Sequence, residues 1–131
     1  MRDADSREMS AHGLSPIQAA SVSILDSNLA FTVTYCDEPV LIFGVSDSTI
    51  EGLGAVWAMG TYEIRKIGSQ FLRHSKEWIE ILEDGYQAIG NIVDDRNDVH
   101  RRWLEWCGFE FGHTIKYGPL GLPFTHFLKK V

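Results

Sequence analysis

Among the side chains that can move a proton or hold a metal, the sequence has five histidines and two cysteines, and their spacing narrows the chemistry. The five histidines, His12, His74, His100, His113 and His126, show no metal-ligand spacing with one another or with Cys107. There is no G-x-S-x-G elbow, no G-x-x-x-x-G-K-S/T loop and no Cys-x-x-Cys pair. No metal is expected. His100 is the best acid–base candidate by side-chain type, since histidine titrates in the physiological range. Its place at the third position of a predicted helix also fits an ordinary surface histidine. Asp94 and Asp95, two acids ahead of a helix N-terminus, read as dipole partners rather than a cation site.

The stretch that must position these residues runs from Ala88 to Phe109. It reads as a short buried strand, a turn with Asp94, Asp95 and Asn97, an amphipathic helix over 97–107 and a Gly108-Phe109 stop. Asn97 suits the helix cap, because its side-chain oxygen can accept an orphan backbone N–H of the first turn. Val99, Trp103, Trp106 and Cys107 fall at i, i+4, i+7 and i+8 and are expected on the buried face. Gly108 supplies the positive φ that a helix end often needs.

Earlier in the chain, residues 1–13 are charged and small, and loose order is expected there. Ser15-Pro16-Ile17-Gln18 marks the start of a helix that stops before Asn28. Leu29–Cys36 alternates as a half-buried strand and Val40–Val45 is a more buried one, and the short turn between them makes an antiparallel hairpin. Leu53–Met59 is a third strand. The longest helix follows, with Ile64, Ile67, Phe71, Trp78 and Leu82 on one stripe. A helix of this length between two apolar strands is a βαβ crossover, so Val56–Met59 and Ile89–Val93 should be parallel neighbours. Phe109–Tyr117 and Leu122–Phe127 close the chain as two strands. The expected architecture is one mixed α/β domain over residues 1–131, with a central mixed sheet flanked by helices.

The strand, Asn97, helix, Gly108-Phe109 pattern resembles the last third of the GNAT (N-acetyltransferase) fold. Phe71-Leu72-Arg73, Trp78, Asn91–Asp94, His100, Arg102–Leu104, Tyr117–Pro119 and Gly121–Phe124 extend the likeness. In these residues the chain is similar to the small GNAT-like internal virion proteins of tailed phages, podovirus type. The resemblance implies an acetyl-CoA cleft between the two parallel central strands, with Val56, Trp57, Ala58 and Met59 as one wall. It also implies a pyrophosphate loop at Arg65, Lys66, Ile67, Gly68 and Ser69 ahead of the long helix, where N–H groups and the dipole favour an anion, and a cofactor contact at Asn97. Arg65 and Gly68 fit the loop pattern, but Gln70 stands where the family has a small residue. Were the helix to begin at Thr61 instead, Arg65 and Lys66 would be solvated surface, and Gly68 an interior glycine costing about 1 kcal/mol.

The family's general-acid tyrosine maps onto Leu104, which donates no proton. His100, or Tyr117 on the next strand, is left for that role, although a half-buried strand tyrosine also explains Tyr117. The resemblance therefore implies a virion, morphogenesis or genome-ejection-associated protein with weak or no catalysis, its partners phage virion proteins and its place the virion or the host cytoplasm. The alternative is an active acetyl-CoA-dependent N-acetyltransferase acting on a small amine or a host protein.

Bulk properties set outer limits. With 131 residues, 44% of them hydrophobic, the chain can bury a real core. A formal charge of −6 argues against a general affinity for nucleic-acid backbones. The two cysteines, Cys36 and Cys107, sit in apolar patterns and are expected as buried, reduced thiols. The first residues carry no apolar core of a secretory signal, and no apolar run reaches the ~18 residues of a membrane span.

Overall fold

The computed structural model describes Arg7, residues 24–60 and residues 68–131. The expectations for residues 1–13, for the helix start at Ser15-Pro16 and for Arg65, Lys66 and Ile67 lie outside the described residues. Residues 24–26, within the stretch expected for that helix, are helical.

The elements are β1 (Leu29–Tyr35), β2 (Glu38–Asp47), β3 (Leu53–Gly60), α1 (Gly68–Glu83), β4 (Ala88–Asp94), α2 (Asp98–Trp106), β5 (Glu110–Tyr117) and β6 (Leu122–Lys130). The strands form one sheet in the order β1-β2-β3-β4-β6-β5. β3 and β4 are parallel, as the crossover through α1 predicts, and the other four pairings are antiparallel. Hairpins need only short turns, whereas a parallel pair needs the long connection that α1 provides.

The sheet buries Phe43, Val45, Val56, Ile89 and Phe127 against Ile79 and Leu82 of α1, Leu104 of α2 and Cys107 at its C-terminal cap. Each such aliphatic side chain contributes about 1.5–3 kcal/mol by leaving water. An aromatic chain runs through this layer: Phe43 stacks on Trp78 at 5.6 Å, Trp78 meets Phe71 at 5.6 Å, and Phe71 stacks on Trp103 at 5.5 Å. Gly90 allows β4 to lie close to β6, since a Cβ there would stand 2.3 Å from the Phe127 carbonyl oxygen.

Three expectations change. β1 is an exposed edge strand rather than a half-buried one: it pairs on one side only, with Val33 packed on the core and the Phe31 ring 5.5 Å from that of Phe43. Cys36 is exposed, because it lies in the β1–β2 turn where Cys36 and Asp37 both take positive φ, 51° and 66°. The buried face of α2 is turned by one residue. Leu104 and Cys107 are buried and His100 and Trp103 half-buried, whereas Val99 and Trp106 are exposed. Apolar residues on both stripes made the two rotations equal in pattern, and the fit of Leu104 into the sheet core decided between them. Trp106 covers α1 from outside instead, donating to the Leu72 carbonyl at 3.1 Å beneath the Lys76 ammonium.

Candidate functional site: a cleft where two parallel strands part

β3 and β4 pair over three positions, Leu53–Ala88, Gly54–Ile89 and Ala55–Gly90, and then separate. The Ala88 N–H donates to the Gly52 carbonyl. Continued two residues at a time, a parallel ladder would bring the Ile92 N–H to the Val56 carbonyl. The Asn91 carboxamide stands between them instead: its Nδ2 donates to Val56 O at 3.0 Å, and its Oδ1 accepts from Ile92 N at 2.8 Å.

Beyond this point lies a narrow cleft of about 70 Å³. Val56, Trp57 and Ala58 form its β3 wall and Asn91 and Ile92 its β4 wall. His100, Trp103 and Leu104 of α2 close it from the helix side. Among the described residues, His100 is the only titratable side chain on the lining. Its ring lies 5.8 Å from that of Trp103, and Trp103 in turn is held by a 2.9 Å bond from its indole N–H to Ser75 Oγ. Leu104, at the position where the resemblance puts a tyrosine, is buried and apolar.

The other predicted residues fall around this cleft or away from it. Trp57 borders it on the strand, while its indole donates to Ser27 Oγ at 2.8 Å. Met59 is buried outside the lining, at the position paired with Ile42. Asn97 is a buried helix cap, accepting from His100 N at 3.4 Å, and does not line the cleft. Tyr117 is exposed, lies edge-on to Phe124 at 5.2 Å and is also outside the lining. Gly68 and Ser69 are the first residues described in α1, and Ser69 is exposed. Asn91 is the residue that reasoning from chemistry missed. Its signal was present, since asparagine is disfavoured in a strand that otherwise reads Ala-Ile-Gly-x-Ile-Val.

Two titrations bear on the surroundings. Burial pushes the Asp94 carboxyl up, but the Arg96 side chain and backbone N–H bond to it, and with the charge of Arg7 they hold it below the usual carboxylate range. The Arg96 guanidinium reaches Asp94 at 2.7 Å and fixes the turn into α2. Burial pushes the Cys107 thiol up to about 12, against the pull of Lys76 and Lys129. Among the described residues, no three His, Cys, Asp or Glu side chains could hold a metal ion, and no helix is long and apolar enough to cross a membrane.

The cleft suits an arm that carries amides. Its walls are apolar, Ala58 leaves space, and one backbone acceptor and one donor face each other across the gap, both occupied by a carboxamide.

No protein-family model matches the sequence, and no curated protein matches it. Solved structures do. An IAA acetyltransferase from Bacillus cereus superposes with a TM-score of 0.69 at 12% identity, covering 94% of this chain and 89% of its own. An aminoglycoside acetyltransferase in complex with coenzyme A gives 0.66 at 16% identity, over 93% and 81% of the two chains. A GNAT-family acetyltransferase from Streptococcus pneumoniae gives 0.63 at 12% identity, over 88% and 72%. None of these three is a virion protein, so the phage part of the resemblance rests on the sequence alone. With its parallel strands parting over the cleft, the chain has the fold of the GNAT acetyltransferases.

Proposed function

We propose that this protein binds acetyl-CoA in the β3–β4 cleft and transfers the acetyl group to an amine. The observation that carries this reading is the parting of β3 and β4 after three paired positions, with an apolar cleft where the ladder should continue. Acetyl-CoA would supply the activated acetyl group. Val56, Trp57 and Ala58 would hold one side of its arm and Asn91 and Ile92 the other, while Gly68 and Ser69 lie at the described start of α1, where the pyrophosphate is expected. His100 faces the cleft and can hold or release a proton beside the reacting groups. Trp103 and Leu104 keep water from that wall.

Calorimetric titration of acetyl-CoA tests the reading, run beside an Ala58→Phe variant that fills the cleft. Micromolar binding by the native protein, lost in a variant that still melts cooperatively, is the expected result. No binding up to millimolar concentrations overturns it.

A second reading, a GNAT-fold phage virion protein without catalysis, draws on Leu104, which is 2% exposed and apolar where the resemblance places a tyrosine. Mass spectrometry of purified particles tests it, and absence of the protein from them counts against it.

A further inference from the structure

We propose that the Asn91 side chain is the gate of the cleft, and that it selects for ligands carrying a secondary amide. This inference rests on acetyl-CoA or a related arm entering between β3 and β4.

The argument is one of hydrogen-bond accounting. Where the ladder breaks, Val56 O and Ile92 N have no strand partner, and a backbone group that a ligand covers from water without pairing it is costly. The Asn91 carboxamide satisfies both, donating through Nδ2 to Val56 and accepting through Oδ1 from Ile92. An arm reaching this depth must move the carboxamide aside. A ligand amide presents the same pair, one N–H and one C=O, so it can replace both bonds at once. A plain alkyl chain would leave an acceptor and a donor unsatisfied, and the site would reject it. Gly90, one residue before, lets β4 lie close against β6, with the Phe127 carbonyl where a Cβ would be. Because Asn91 is exposed, truncating it opens the gap without emptying the core.

The test is acetyl-CoA titrated by calorimetry into the native protein and an Asn91→Ala variant, with amide hydrogen exchange followed at Ile92. The variant should bind roughly fivefold tighter, since no internal bonds have to be exchanged on binding. Its Ile92 N–H should exchange fast when free and slowly once ligand is added. Binding by the variant alone supports the gate as well. Binding by both proteins with equal or weaker affinity in the variant overturns the gate and leaves the cofactor reading intact. Binding by neither overturns both. In the native protein without ligand, an Ile92 N–H that exchanges as fast as a solvent-facing amide overturns the gate without any variant. A last arm uses pantetheine, which has secondary amides, against an alkyl thiol of similar length: equal protection of Ile92 by the two overturns the amide selection.

Discussion

The indole N–H of Trp103 donates to the Ser75 hydroxyl at 2.9 Å, and that hydroxyl donates onward to the Phe71 carbonyl one turn earlier in α1. The relay ties α2 to α1 through Trp103, which lines the cleft, and Ser75 is wholly buried. Ser75→Ala leaves the indole N–H without this partner, and it should cost about 1–3 kcal/mol, the usual range for a buried unsatisfied group. Urea denaturation should show a lower midpoint with an unchanged slope. Ser75→Cys, which keeps a weak acceptor of similar size, should recover part of the loss.

His100 is the proton-carrying group that the cleft offers. If the acetyl-transfer reading holds, His100→Gln should lower turnover by about 10²–10⁴, the common contribution of general acid–base catalysis. The dissociation constant for acetyl-CoA should change little. Thioester loss with a panel of amines, set beside calorimetric binding, separates the two effects. Equal turnover in the variant would remove His100 from the chemistry.

The two thiols should behave oppositely. Cys36 is exposed in a turn, whereas Cys107 is buried and its thiol is pushed up to about 12, so it stays protonated at neutral pH. The thiolate is the reactive form. A thiol reagent should therefore label Cys36 alone in the native protein and both cysteines after unfolding, as intact-mass measurement would show.

Acid stability should depend on Asp94. Its folded pKa lies below the unfolded value, so its contribution is fully present above the unfolded pKa and is lost as pH falls through the folded one. Asp94→Asn should lower stability at neutral pH by about 1.5–3 kcal/mol, the range for hydrogen bonds to charged groups. The gap between variant and native protein should shrink as the solution becomes acidic. Melting temperatures measured across the acid range check this, and a constant gap would refute it.

The β1–β2 turn holds two non-glycine residues at positive φ, 51° at Cys36 and 66° at Asp37. A two-residue hairpin turn of this kind favours Asn-Gly. Cys36→Asn with Asp37→Gly should raise stability by about 0.5–1 kcal/mol, because the strained backbone is relieved. A higher melting temperature, with native thiol labelling abolished, would show it.

The sequence by itself determined the elements from β1 onward, the antiparallel β1–β2 hairpin and the parallel pairing of β3 with β4. Alternating residues marked the strands, Asn97 and Gly108 bounded α2, and the length of the crossover required β3 and β4 to be parallel. These are local properties: period, capping and chain length act on the segment that carries them. Tertiary structure decided what depends on neighbours distant in sequence. The rotation of α2 followed from the fit of Leu104 into a core built by the sheet and α1, which the apolar pattern of α2 alone could not distinguish from a stripe through Val99 and Trp106. The exposure of β1 followed from its place at the sheet edge. The role of Asn91 was not legible in the strand that carries it, because its partner, Val56, is 35 residues away and meets it only where the parallel ladder breaks.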